Sequence, residues 1–145
     1  MTRAQSAHIP CSHAKECQPT GDSRVRRPIE MFLASLIGCK TSTAHYVARH
    51  LWASPNNIID ELHCNIAAER DPEGGRALPI TAPPPVYAGL KRIHGVVSVA
   101  PRSNRIGADD VRQLGVLVDS RCPVAATLHG GACSVELEWR LMGGA

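Results

Sequence analysis

Apolar residues recur every three or four positions along one stretch of the chain, and this spacing predicts a single long helix. The stripe is interrupted only by Lys40 and Thr43, and its apolar members are Leu33, Leu36, Ile37, Ala44, Val47, Ala48 and Leu51. Pro28 suits a first helical position, Glu30 favours the first turn, and Ser54-Pro55-Asn56 stops the helix. At about 1.5 Å per residue such a helix reaches roughly 35 Å and would run through the middle of a small domain.

Alternating apolar and polar residues predict three strands, over residues 58–69, 92–99 and 133–141. In the first strand the largely apolar face is expected to hold the even-numbered residues, from Ile58 and Asp60 to Ala68. The third strand has the clearest alternation of the three.

Two shorter helices are predicted between the second and third strands. Asp109-Asp110 places acids in the first turn of a helix that ends at Ser120-Arg121. Cys122 then stands immediately before Pro123, which has no amide to donate and sits best at the first position of a helix. Gly130-Gly131 closes this second, short helix.

The order of these elements favours an α+β fold, because strands and helices do not alternate as a doubly wound parallel sheet requires. Residues 1–27 show neither period and contain Pro10, Pro19 and Gly21. We therefore expect an N-terminal arm over residues 1–27 that is loosely ordered or carries short strands. Residues 28–145 are predicted to form one domain, since 145 residues are too few for two well-cored ones.

Composition and charge narrow the functional classes. The net charge is only +3 and the basic residues are scattered, which argues against a nucleic-acid-binding face. No apolar run approaches the roughly 20 residues that span a bilayer, and the first residues lack a hydrophobic signal core. We expect a cytoplasmic protein without nucleic-acid or membrane partners, although the acid-free segment 1–15 leaves mitochondrial import open.

The six cysteines are better explained as free thiols, catalytic groups or metal ligands than as a disulfide framework. Cys39 lies in the middle of the long helix, where it is either a small buried hydrophobe or a reactive thiol, and Gly38 beside it would let another backbone approach. Cys122 stands at a helix N-cap, where unpaired amides and the dipole stabilise a thiolate, unless it only caps the helix. Cys64 and Cys133 fall on apolar sides of strands and are predicted to be core residues.

A second possible site lies in the N-terminal arm. His8, Cys11, His13 and Cys17 could present two imidazoles and two thiolates to zinc, although their spacing fits none of the usual zinc fingers. A zinc-dependent interaction module is therefore a further hypothesis.

Two segments of the chain resemble the OsmC/Ohr family: Pro28–Cys39 (PIEMFLASLIGC) and Ser120–Val124 (SRCPV). The likeness runs from about Pro28 to Leu141. It implies an OsmC-like fold with a long central helix packed against an antiparallel sheet, in a domain-swapped homodimer with two active sites at the subunit interface.

The resemblance also implies a chemistry. Cys39 matches the family's peroxidatic cysteine and Cys122 its resolving cysteine, so a Cys39 sulfenic acid would condense with Cys122 to a disulfide. Organic hydroperoxides are the implied substrates, a dithiol such as a dihydrolipoyl carrier protein is the implied reductant, and no metal or cofactor is needed. Glu30 matches a glutamate that pairs with an activating arginine, unless it only complements the helix dipole.

The family's arginine comes from an N-terminal β-meander, and none of Arg24, Arg26 and Arg27 can be matched to it. Without a guanidinium nearby, a cysteine in an apolar helix would stay protonated. The alternative hypothesis is therefore a non-enzymatic OsmC-like dimer that binds a small hydrophobic or thiol ligand.

Overall fold

The computed structural model describes the backbone of residues 3–11 and both backbone and side chains of residues 28–54 and 58–143. Within these ranges the chain forms four strands and four helices. In chain order they are β1 (Arg3–Cys11), α1 (Pro28–Leu51), β2 (Ile59–Arg70), α2 (Glu73–Arg76), β3 (Leu90–Pro101), α3 (Ala108–Arg121), α4 (Pro123–His129) and β4 (Ser134–Leu141). The predicted long helix, three strands and two shorter helices are confirmed, and α2 is an additional single turn.

The strands form one sheet in the order β1-β2-β3-β4, against which α1 packs. Neighbouring strands from β1 to β3 are antiparallel, whereas β4 runs parallel to β3. Parallel neighbours need a long crossover connection, and here α3 and α4 provide it. The α+β class is confirmed, with this one parallel pair as a difference from the expected antiparallel sheet.

The core lies between α1 and the sheet, and α3 closes its side. Its buried side chains are almost all aliphatic, and the largest include Leu33, Leu36, Ile37, Leu62, Ile66, Ile93, Val97, Val111 and Leu114. The stripe predicted for α1 is therefore the face that is buried, as its spacing requires.

Strand β1 occupies part of the segment for which the sequence indicated no regular period. It pairs antiparallel with β2, from Arg3 opposite Arg70 to Cys11 opposite Leu62. Because the edge of a sheet is held by backbone hydrogen bonds, a segment without apolar alternation can join it, and an edge strand also tolerates Pro10. Within the N-terminal arm, Arg3–Cys11 thus form a strand of nine residues.

The prediction that Asp60 lies on the apolar face at the start of β2 is wrong. A register shift between Ile59 and Glu61 buries Ile59 and turns Asp60 outward, where its carboxylate accepts a hydrogen bond from Arg102. A β-bulge of this kind adds one residue to the strand and so moves the following side chains to the other face. From Leu62 onward the predicted face is buried.

Candidate functional site

The sulfurs of Cys39 and Cys122 lie 3.2 Å apart, although 83 residues separate them in sequence. Both are free thiols. A disulfide S–S bond is about 2.05 Å long, so the two sulfurs would bond after an approach of about 1 Å. The fold therefore brings together the two cysteines that sequence reasoning singled out.

Helix α1 carries Cys39 near its middle, with buried Leu36, Ile37 and Lys40 around it. The Thr43 hydroxyl donates a hydrogen bond to the Cys39 carbonyl oxygen at 2.8 Å, so it supports the backbone. Gly38 faces open space in the described part of the chain, since a Cβ there would meet no atom within 4 Å. The expectation that Gly38 admits a neighbouring backbone is therefore wrong for the described residues.

Cys122 occupies the junction at which α3 ends and α4 begins. Its amide donates to the Val118 carbonyl at 2.9 Å in the last turn of α3, and its carbonyl accepts from the Ala126 amide at 2.8 Å in the first turn of α4. Pro123 takes the first position of α4, as the sequence predicted. The two helices thus hold the Cys122 backbone from both sides and aim its side chain at α1.

Burial raises the pKa of the Cys122 thiol above its ordinary value, and the neighbouring Cys39 acts in the same direction. The Ala125 amide and the Lys40 ammonium oppose this rise, because both favour the thiolate. The helix start therefore does not make Cys122 a thiolate at neutral pH, in contrast to the reactivity that its N-cap position suggested.

The two sulfurs differ in their access to solution. Cys39 is half-buried, whereas Cys122 is 0% exposed. A reagent that approaches the pair from outside therefore meets Cys39 first.

An ion pair with a buried lysine joins α1 to α3, the same helices that carry the two sulfurs. The Lys40 side chain is only 1% exposed, and its ammonium donates a hydrogen bond to the Asp119 carboxylate of α3. Sequence reasoning treated Lys40 as an interruption of an apolar stripe and so missed this pair. The position of Lys40 within that stripe was itself a signal, since a buried lysine almost always has a partner.

Glu30 lies in the first turn of α1, nine residues before Cys39. Because α1 is continuous, this spacing puts Glu30 about 13 Å away along the axis and on the opposite side of the helix. The fold therefore brings Cys39 to Cys122, and α1 does not bring Glu30 to them.

The other sequence candidates fall into two groups. Arg24, Arg26, Arg27, His13 and Cys17 lie outside the described residues, and for His8 and Cys11 only the β1 backbone is described. Within the described ranges, no cluster of three or more histidine, cysteine or acidic side chains could hold a metal ion.

Cys64 and Cys133 are both buried in the core, as predicted. Burial raises the pKa of Cys64 to about 12, against a smaller opposing effect of the Lys40 ammonium. Burial also raises the pKa of Cys133. Both side chains therefore remain thiols at neutral pH.

An apolar groove of about 300 Å³ opens beside the start of α1. Its lining residues are Pro28, Ile29, Phe32, Tyr87, Leu90, Leu128 and Cys133. Phe32 precedes Cys39 by two helical turns, so the two residues lie on the same side of α1, about 10 Å apart along its axis. None of the helices in the described ranges is long and apolar enough to cross a membrane.

The chain is thus a small α+β protein in which two thiols meet between the long helix and the start of a short helix. The family model for OsmC-like proteins matches residues 21–138, and the chain belongs to this family. The crystal structure of an OsmC-like protein from Mycoplasma pneumoniae is similar in fold, with a TM-score of 0.62 and 18% sequence identity over 97% of this chain and 96% of that one. No curated protein matches this chain.

Proposed function

We propose that this protein is a two-cysteine thiol peroxidase that reduces organic hydroperoxides. The observation that carries the proposal is the 3.2 Å separation of the Cys39 and Cys122 sulfurs, which suits disulfide formation with little movement. Membership of the OsmC-like family supports the same activity.

The first step is attack of the Cys39 thiolate on the distal oxygen of the hydroperoxide. An S–O bond forms, the O–O bond breaks, and the alkoxide leaves and takes up a proton to become an alcohol. In the second step the Cys122 sulfur attacks the Cys39 sulfenic acid, the S–O bond breaks, and water leaves as the disulfide forms. The hydroperoxide is thereby reduced and two thiols are oxidised.

The difference in exposure supports this assignment of roles. Cys39 is the accessible sulfur and so serves as the peroxidatic one, whereas buried Cys122 needs only to meet the sulfenic acid beside it. The raised pKa of Cys122 also fits a resolving role, because a group that remains a thiol does not compete for peroxide. The family resemblance assigns Glu30 a supporting role, in which it pairs with an arginine that activates Cys39.

The apolar groove beside Phe32 supports an organic substrate. Its lining would hold a hydrocarbon chain, and its distance from Cys39 suits a hydroperoxide group carried several carbons from the anchored end. The reductant would be a dithiol such as a dihydrolipoyl carrier protein, since thiol–disulfide exchange returns both cysteines to their reduced state. No bound cofactor is required, and the cytoplasm suits an enzyme that works through reduced thiols.

The proposed assembly is a domain-swapped homodimer. Large apolar side chains on the outer face of α1 support a partner subunit there, with Met31 60% and Tyr46 53% exposed. Such a partner would also enclose the side on which Cys39 is reached.

Titration of the reduced protein with cumene hydroperoxide tests the activity. We expect one equivalent to remove two thiols per chain, with peptide mass spectrometry placing the disulfide between Cys39 and Cys122. Cys39→Ser should abolish peroxide reduction, Cys122→Ser should leave a sulfenic acid that dimedone traps, and Cys64→Ala should react as the wild type does. Both thiols remaining free after treatment would overturn the proposal.

The same titration addresses the alternative, a non-enzymatic dimer that binds a small hydrophobic or thiol ligand. The groove beside Phe32 is the observation that favours it. A protein of this kind would bind a fatty acid saturably and would lose no thiols on addition of the hydroperoxide.

A further inference from the structure

The buried ion pair and the sulfur pair join the same two segments of chain. Lys40 directly follows Cys39 in α1, and Asp119 precedes Cys122 by three residues at the end of α3. The Lys40 ammonium acts electrostatically on the Cys122 sulfur, and its burial limits the screening of this charge by water. A positive charge near a thiol increases its reactivity, because it favours the thiolate and only the thiolate is a nucleophile.

The pair is arranged so that its ammonium faces the interior. Lys40 is 1% exposed, whereas the Asp119 side chain is 35% exposed and lines a cleft between α3 and β4. The Asp119 carboxylate compensates the desolvation of the buried ammonium through this charge-assisted hydrogen bond. The ion pair and the sulfur pair therefore both lie where α1 packs against the end of α3.

Among the described residues, the other groups around the dithiol offer no equivalent cation. Helix α1 contributes Cys39 and Lys40, α3 contributes Asp119 and the exposed Arg121, and β2 contributes the buried thiol of Cys64. Arg121 adjoins Cys122 in sequence, but its charge is solvated and screened. From α4 the dithiol receives the Ala125 amide.

We propose that Lys40, held in place by its hydrogen bond to Asp119, is the positioning residue that presents a positive charge to the Cys39–Cys122 dithiol and favours its thiolate. The inference deepens the proposed peroxidase function and rests on it, because it concerns how the same two sulfurs are activated. It also gives a reason for the lysine within the apolar stripe of α1, where an aliphatic side chain would fill the space at lower desolvation cost.

The test is a pH titration of the dithiol by the ultraviolet absorbance of thiolate, between about pH 6 and pH 11. For each protein, subtraction of its Cys39→Ser/Cys122→Ser version isolates the dithiol from the other cysteines. We expect Lys40→Met to raise the first pKa of the dithiol by about one unit, which is about tenfold less thiolate at any pH below it. Lys40→Arg, which keeps the charge, should restore the wild-type titration.

Arg121→Gln is the matched control, since it removes an equal charge beside Cys122 from an exposed position and should leave the titration unchanged. Lys40→Gln, which can still hydrogen-bond to Asp119, replaces Lys40→Met with the same expected shift if the methionine variant does not fold. The inference is overturned if the charge-removing variant titrates as the wild type does, or if Arg121→Gln shifts the pKa equally. No peroxide is used, so failure here is distinct from failure of the hydroperoxide titration.

Discussion

At the scale of single residues, the chain places cysteines in three different environments. Cys39 is half-buried in a helix, Cys122 is fully buried at a helix junction, and Cys64 lies on strand β2 with its side chain in the core. Burial penalises the thiolate because a charge loses its hydration in the interior. The reactivity of each sulfur thus follows from its access to water and from nearby amides and cations rather than from its residue type.

The buried thiol of Cys64 should make the free energy of unfolding depend on pH. In the unfolded chain its thiol loses a proton near its ordinary pKa of 9.0, whereas in the folded protein burial raises the pKa to about 12. Its contribution to stability is therefore complete below about pH 9 and is lost as the pH rises toward 12. Between pH 7 and pH 10 we expect the wild type to lose about 1 kcal/mol more of its free energy of unfolding than Cys64→Ala does, by urea denaturation. Equal losses in the two proteins would contradict the buried thiol.

At the scale of elements, helices α1 and α3 show how one glycine can be dispensable and another essential. Gly38 in α1 faces open space in the described residues, whereas a Cβ on Gly115 in α3 would lie 2.4 Å from the Trp139 ring of β4. Gly115 thus lets β4 approach α3, and this contact helps to close the side of the core. The same residue type therefore contributes helix flexibility in one element and close packing in the other.

These two positions form a matched pair of substitutions. Where no partner subunit covers this face of α1, Gly38→Ala should raise the free energy of unfolding by about 0.5–1 kcal/mol, because alanine loses less backbone entropy in a helix. Gly115→Ala should lower it by about 1–3 kcal/mol, because the Trp139 ring must shift. Chemical denaturation of both variants measures the difference, and destabilisation by Gly38→Ala would show that another surface packs against that face of α1.

At the scale of the whole molecule, the chain buries a mainly aliphatic core and leaves large apolar side chains on its outside. Met31, Tyr46 and Val116 are all more than half exposed. Exposed apolar area of this kind on a small protein commonly marks a surface for a partner. A second copy of the chain against α1 would cover two of these residues.

Sedimentation velocity tests this assembly. We expect the wild type to sediment as a dimer and Met31→Asp/Tyr46→Asp to shift toward monomer, because the partner would have to bury two unpaired carboxylates. Leu78→Asp, at an 82% exposed position between α2 and β3, is the control and should remain dimeric. A monomeric wild type at micromolar concentration would contradict the proposed dimer.

The local pattern of apolar and polar residues was sufficient to predict most of the helices and strands. The three-and-four spacing in α1, the alternation in β2, β3 and β4, and the proline after Cys122 each depend on residues close together in sequence, so they predicted helices and strands directly. Features that depend on pairing between distant residues were not predicted from the sequence. The β1 edge strand is held by backbone bonds to β2, and the bulge that buries Ile59 comes from the register with β3.

Residues close together along the chain were enough to predict the long helix and the helix start at Cys122, and the family resemblance predicted that Cys39 and Cys122 act as a pair. Contacts between distant elements were needed to show that their sulfurs meet at 3.2 Å, that burial raises the pKa of Cys122, and that Lys40 pairs with Asp119, 79 residues away. The physical reason is that periodicity reports the face a residue occupies on its own element. Distance, burial and charge pairing between elements exist only once those elements have packed.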